Sequence, residues 1–551
     1  MLPARQTPEP STPMVLPPAK IATSFLVLAA FVALFATKWG YFTLCPETCT
    51  NCPHSGYFEY ECAGRPHQSS WSSWWHPHHA VEKERHHSSR AQRAGATTKD
   101  WNILYYLGGN GPWVEKVHNV VEGGIAVPDG CKVEQIHMMA RHAERYPVGK
   151  ASERIRSLHH KLKTSEKTLE GDLAFVNNWQ LFWSDEHNGH LTTTGPFSGT
   201  LGAFTTGVRL RTRYHDLIDQ AQTGVGKIRF WASDSARVID TARYFAVGFF
   251  GLNWTNIAHL EVIPETSDRG GDTLTPGDTC PEYLDDREEG YDKGARLTEL
   301  YRSNYLNATR ERFLNQNPSI EFNDEHLFAM QEICGFETTV RGSSPWCDAF
   351  TQDEFISFEY ARDLLHYYRS GPGTKYAGTM GWLWLNATTN LMLEGHSAGP
   401  LFLSFVHDGD IAPMITALDI INEDEHLPIT HIPQKRRWRK SQVAPMGGRV
   451  IFEMLSCGVE ESREKYVRIN INDGITALPD CQSGPGQSCP LDDFVAKMKR
   501  RGEELGDFRE KCGLSDDAAD RITFLHQKAV VGSSQPEAGW LVSSAIDTSD
   551  P

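Results

Sequence analysis

The chain has 551 residues, 40% of them apolar and 11% aromatic, enough to fill a large packed core. Its formal charge of −16 at pH 7 excludes broad nucleic-acid binding, so any anion site must be a local pocket of positive charge. The first twenty residues are proline-rich and read as an unfolded cytosolic tail. Residues 21–37, IATSFLVLAAFVALFAT, carry no charge between Lys20 and Lys38. A helix of this length spans roughly 26 Å, close to a bilayer core, and is read as an uncleaved signal anchor. The alternative is a cleaved signal peptide, but cutting after Ala36 leaves Leu34 where a small residue is needed. The first reading makes the bulk of the chain membrane-anchored and lumenal or extracellular; the second makes it secreted.

The twelve cysteines fall into two groups. Cys45, Cys49, Cys52 and Cys62 crowd the segment after the apolar run, and two local disulfides are a plainer reading than a metal knuckle or a redox pair. Residues 38–100 read as a Cys-containing, His/Ser-rich juxtamembrane stalk, in which 65–99 show no helical or strand period. Cys131, Cys280, Cys334, Cys347, Cys457, Cys481, Cys489 and Cys512 form the second group, an even set that reads as disulfides in an oxidising compartment. The spacings of Cys334 with Cys347 and of Cys481 with Cys489 suit local loops. Sequons at Asn253, Asn307 and Asn386 agree with a lumenal route. Order is expected over residues 101–515, with 516–551 a loose C-terminal extension.

Three modules in the ordered part share one grammar. CKVEQIHMMA, apolar enough for a buried strand, runs into Arg141 and His142 of MMARHAERYP. KIRFWAS at 227–233 precedes a helix in which Val238, Ala242 and Phe245 recur at helical spacing and Arg237 sits at the start. LFLSFV at 401–406 ends on His407 and Asp408. Ligands of open α/β sheets bind beyond the carboxyl ends of the strands, where helix N-termini also favour anions. Arg141 and Arg145 make a fork-shaped trap for phosphate, and their charge lowers the proton affinity of His142. Each piece has a plainer use: Arg237 as partner of Asp234 or Asp240, Asp408 as a helix cap. Together they supply a nucleophile, three anion clamps, a second histidine donor and a carboxylic acid. That is the set needed to transfer a phosphoryl group to histidine and then to water.

RHAERYP and FVHDGDI resemble the R-H-G-x-R-x-P and H-D motifs of the histidine acid phosphatases, in the branch of fungal secreted acid phosphatases and phytases. WNILYYLGGNGPW, LTTTGPFSGTLGAFTTGVRLRTRY, SDSARVIDTARYFAVGFFG and CQSGPGQSC resemble family segments in family order, over about residues 101–515. The resemblance implies an α/β fold, a mixed, largely parallel sheet flanked by helices as in phosphoglycerate mutases. A helical subdomain would be inserted at about 148–225 and 285–375. It implies His142 as phosphate acceptor, Asp408 as proton donor, and Arg141, Arg145, Arg237 and His407 as phosphate ligands. It pairs Cys131 with Cys457 and Cys280 with Cys512, and implies neither metal nor cofactor. The implied partners are small phosphate monoesters, not nucleic acid; the membrane is a partner through residues 21–37 if uncleaved, and self-association is compatible with the pattern. Glu144-Arg145-Tyr146 looks more like broad-specificity acid phosphatases, with a phytase of the same mechanism as the alternative. Ala143 replaces the usual glycine, at a cost of about 1 kcal/mol if the backbone there needs a positive φ.

Three features compete with this reading. GHSAG at 395–399 fits the nucleophile elbow of serine hydrolases, with Ser397 served by Asp408 and His426, although a strand follows where a helix is needed. A phosphate-binding ectodomain without turnover is the non-enzymatic rival, suggested by Ala143. The basic run KRRWRK at 435–440 reads as a surface patch or a proprotein-type cleavage site, with no role in chemistry.

Overall fold

The structure is a computed structural model that describes residues 101–223, 226–459 and 463–527. The apolar segment 21–37, the first cysteine group, the His/Ser-rich stalk and residues 528–551 lie outside the described residues. Among the described residues, no helix is long and apolar enough to cross a membrane.

One mixed sheet organises these residues. Its strands are β1 (Cys131–Arg141), β2 (Ile228–Ser233), β3 (Ala258–Ile263), β4 (Leu401–Val406), β5 (Arg449–Cys457), β6 (Glu464–Ile471), β7 (Gly474–Thr476) and β8 (Cys489–Pro490). They run in the order β3-β2-β4-β1-β5-β6-β7, with β8 paired to β6. β3, β2, β4 and β1 are parallel, and β5 to β8 continue the sheet antiparallel. β2 and β4 are buried at every residue because helices cover both faces, which is why they read as nearly continuous apolar runs, interrupted by Arg229 and Ser404.

Strand alternation sorts the core into two layers. Ile136, Met138 and Ala140 face Leu210, Tyr214, Phe245 and Phe249 of the helices Gly199–Gln222 and Ala236–Phe250. Met139, Trp231, Phe402 and Phe452 face the larger core beneath the helices Gln352–Arg369, Ala377–Glu394 and Asp408–Leu418. The first two helices touch backbone to backbone. A Cβ on Gly207 would lie 2.2 Å from the Phe245 carbonyl oxygen, and one on Gly248 would lie 2.2 Å from that of Phe204. Only glycine permits that approach.

On the other face, Gly149–Thr164 packs on Asp324–Arg341, and Lys293–Tyr305 packs on Gln352–Arg369. These helices supply the far wall of the cleft described below. Four disulfides pair Cys131 with Cys457, Cys280 with Cys512, Cys334 with Cys347, and Cys481 with Cys489. The first joins β1 to β5 where their register already sets the two cysteines opposite each other. At the base of the parallel half, β2 and β4 pair only at Trp231–Ser404 and Ala232–Phe405. Below that, the Gln527 amide donates to the carbonyls of Arg229 (2.8 Å) and Leu401 (2.6 Å) and accepts from the Arg229 amide (2.9 Å), replacing the missing ladder. Asn253 and Asn307 are exposed, whereas Asn386 is half-buried in mid-helix and accepts from Asn390 at 3.3 Å.

Candidate active site

Parallel register builds the site. Arg141 pairs with Val406, so the residues that follow β1 and β4 emerge side by side, and the His142 amide donates to the Val406 carbonyl at 3.0 Å. β2, on the far side of β4, leads into Arg237 on the first turn of Ala236–Phe250. The sequence-predicted His142, Arg141, Arg145, Arg237, His407 and Asp408 thus meet beyond the carboxyl ends of the central parallel strands.

His142 is buried, and its Nδ1 hydrogen-bonds the Ala143 carbonyl at 2.9 Å. A carbonyl only accepts, so Nδ1 carries the proton and Nε2 keeps its lone pair. Burial, then Arg141, Arg145, Arg237 and His407, hold the imidazole well below its ordinary pKa, so it stays neutral in acid. Ala143 carries no penalty: it is absent from the non-glycine residues with positive φ. Its amide donates to Thr241 Oγ1 at 2.9 Å and its methyl packs with Leu191 and Ala203. The concern raised by the missing glycine does not arise in this backbone.

Each arginine is held by oxygens outside the motif. Arg141 Nη1 donates to the carbonyls of Gly109 (3.1 Å) and Ala444 (2.9 Å), and Arg145 Nη1 donates to that of Tyr146 (2.8 Å). Arg237 pairs with neither Asp234 nor Asp240; its Nη2 donates to His407 Nδ1 at 3.2 Å, while Asp240 engages Arg243. His407 Nε2 in turn donates to Glu265 Oε1 at 2.8 Å. Glu265 follows β3, the fourth parallel strand, two residues past its end. The strand-end rule that found the other three modules reaches it once β3 is recognised.

Asp408 opens the helix Asp408–Leu418 but does not cap it. Asp410 accepts the His407 amide at 2.9 Å, which frees the Asp408 carboxylate. Lys440 Nζ lies 2.8 Å, Arg141 Nη2 3.2 Å and His366 Nδ1 3.7 Å from Asp408 Oδ2. Burial by itself raises this carboxyl, but Arg141 and then Lys440 outweigh it and hold the group well below the usual carboxylate range. His366 is buried and kept neutral chiefly by that burial; its Nε2 accepts from Arg362 at 3.1 Å.

Lys440 corrects the reading of KRRWRK as a surface patch or cleavage site. Arg436, Trp438 and Lys440 are buried, and Arg436 pairs with Glu359 and Asp363 of Gln352–Arg369. Buried carboxylates far away in sequence, not water, satisfy this charge. The GHSAG turn is also displaced. It follows the helix Ala377–Glu394 and precedes β4, so Ser397 sits at the opposite end of that strand from Asp408. The length of β4 separates them by roughly 20 Å, and Ser397 Oγ is bonded to the Glu394 carbonyl. His426 instead meets the Tyr367 hydroxyl at 3.0 Å.

The cluster opens into a cleft of about 620 Å³ lined by Arg141, Arg145, Arg362, His366 and Asp408, with Lys150 and Arg369 also on its wall. One buried and two half-buried arginines around a neutral imidazole, beside a carboxyl group, make an arrangement suited to phosphoryl transfer to nitrogen.

Residues 132–472 match the family model of the histidine phosphatase superfamily (branch 2). The chain is 33% identical over 436 residues to a phytase of Candida albicans, covering 78% of this chain and 91% of that protein. It is 34% identical over 432 residues to an acid phosphatase of Komagataella pastoris, covering 77% and 89%. The crystal structure of the phytase from D. castellii superposes with a TM-score of 0.71 at 30% identity, covering 78% of this chain and 91% of that one. Fold, motif geometry and family match agree, and the chain belongs to branch 2 of the histidine phosphatase superfamily.

Proposed function

We propose that the protein is an acid phosphatase, a phosphoric monoester hydrolase that works through a phosphohistidine on His142 with Asp408 as proton donor. One observation carries this reading: His142 presents an unprotonated Nε2 among Arg141, Arg145 and Arg237, beside Asp408. Phosphate binding engages Arg141 and so weakens its hold on Asp408, which then takes a proton in acid. Nε2 attacks phosphorus, the P–O bond to the alcohol breaks, and the Asp408 proton passes to the departing oxygen. Water then attacks the phosphohistidine, yields its proton to the Asp408 carboxylate, and releases phosphate with His142 restored. His407, with one nitrogen on Glu265 and the other on Arg237, orients that third clamp. Turnover of p-nitrophenyl phosphate but not p-nitrophenyl butyrate, lost in His142→Ala and kept in Ser397→Ala, is the expected result. The opposite pattern returns the serine mechanism.

A phytase of the same mechanism is the second reading, favoured by the cleft. Lys150 and Arg369 line it in addition to the catalytic cluster, and Arg369 stacks on Tyr291 at 4.4 Å without a carboxylate partner among the described residues. Substrates with several phosphates suit such a wall. Relative turnover of phytate, a sugar phosphate and p-nitrophenyl phosphate across the acid range decides between the two.

The chain layout is part of the same proposal: tail 1–20, anchor 21–37, stalk 38–100, catalytic domain 101–515, and an extension 516–551 that, contrary to a wholly loose segment, docks on the sheet through Gln527. Four disulfides support a lumenal or secreted catalytic domain. Finding the 21–37 peptide on mature protein in a membrane fraction supports the anchor; its absence from secreted protein supports cleavage.

A further inference from the structure

Asp408 plays two opposite parts in one turnover, acid first and base second, and something must keep it aimed through both. Around it stand Arg141 from β1, Arg145 just beyond, Arg237 from Ala236–Phe250, Arg362 and His366 from Gln352–Arg369, Asp410 on its own helix, and Lys440. Three of these approach the carboxylate closely, all at Oδ2. Arg141 is a phosphate ligand, so its pull on Asp408 changes as substrate comes and goes. His366, at 3.7 Å, is beyond hydrogen-bond range. Lys440, at 2.8 Å, is within it.

We propose that Lys440 is a positioning residue for the reaction, fixing Asp408 through Oδ2 so that the other carboxyl oxygen serves first the leaving group and then the attacking water. The inference rests on the reading of Asp408 as proton donor. Lys440 is 1% exposed and does not line the cleft, so it acts through Asp408 and not on substrate. Its own place is fixed independently of substrate. Its amide donates to Asp363 Oδ1 at 2.6 Å, and Nζ donates to the Ala444 carbonyl, which also accepts from Arg141 at 2.9 Å. When phosphate draws Arg141 away, this anchor remains. Burial lowers the Lys440 ammonium to about 7 against the opposing pull of Asp408, so it is a cation throughout the acid range. A buried cation stabilises the Asp408 anion left after proton donation, the form that must take a proton from water.

A double-mutant cycle tests this, read on an alkyl phosphate whose leaving group needs the proton. Lys440→Met is expected to lower kcat about tenfold or more with Asp408 present, the size of one lost hydrogen bond to a charged group. In the Asp408→Asn background, where replacing both partners also leaves no unpaired buried charge, it is expected to cost nothing further. Without the cation Asp408 protonates more readily, so the pH profile of Lys440→Met moves to higher pH by about one unit. Lys440→Gln shares that move, because it keeps a donor without the charge, and Lys440→Arg keeps the original profile. Equal losses in both backgrounds, or an unmoved profile in the uncharged variants, overturns the role of Lys440. Full turnover of the alkyl phosphate by Asp408→Asn overturns the donor reading itself, a distinguishable failure.

Discussion

Two basic clusters of this chain look alike as text and differ as structures. RHAERYP and KRRWRK both concentrate cations, and both are largely buried. In the second, Glu359 and Asp363 neutralise Arg436 in place, and the result is a sealed core element. In the first, Arg141, Arg145 and Arg237 rely mainly on neutral carbonyl and imidazole acceptors, and Arg141 and Arg145 face a cleft. Asp408, which faces Arg141, meets only part of this charge, and in the proposed reading substrate phosphate supplies the rest. A buried cation marks a binding site when its anion comes from outside; otherwise it marks scaffold. Lys440 joins the two clusters, because it ends the scaffold run and reaches Asp408, the proposed proton donor.

The sharpest break is at the nucleophile. His142→Ala should lower turnover by at least about 10⁴-fold, since the covalent route disappears while the fold remains. Rapid quench of the wild type should trap an acid-labile, base-stable phosphopeptide containing RHAERYP, and the variant should trap none.

The comparison itself is tested by removing one cation from each cluster. Arg145→Ala should cost about 10²–10³-fold in kcat/KM with little change in thermal unfolding. Arg436→Met should do the reverse, destabilising by about 3–5 kcal/mol because the buried Glu359 and Asp363 lose their closest counter-ion. Denaturant titration beside kinetics separates them. Loss of activity without loss of stability in Arg436→Met would erase the distinction.

A smaller effect concerns pH. Burial raises Glu144 to about 7, and burial with the neighbouring Glu359 raises Asp363 to about 7. An unfolded carboxyl titrates near about 4, so between those values the folded chain holds protons that the unfolded chain has released. These two groups therefore favour the fold in acid and lose that contribution as pH rises towards neutrality. Glu144→Gln keeps the acceptor for the Trp113 amide, which lies 2.8 Å away. It should flatten the fall of stability between acid and neutral pH, measured as unfolding midpoints. The smallest expected effect is Ala143→Gly: turnover within about twofold, and stability lower by about 0.5–1 kcal/mol through unfolded-state entropy.

The apolar runs of β1, β2 and β4 could be read directly, because strands buried on both faces have no polar alternation to hide them. Strand ends follow from where such runs stop, so His142, Arg237, His407 and Asp408 were legible with them. β3, half-exposed at the sheet edge, has no such run, and Glu265 was missed along with it.

What sequence alone determined is local: where strands and helices begin, and which reactive side chains stand at those boundaries. Tertiary structure decided which charges are spent on one another. Whether Arg436 or Arg141 has a counter-ion depends on residues far away in the chain, brought near by packing. The same holds for Lys440 and His366 beside Asp408, and for Ala143, whose cost depended on a φ angle that no single residue reports. Coulomb energy and desolvation act through distance in space, and that distance exists only once the chain has folded.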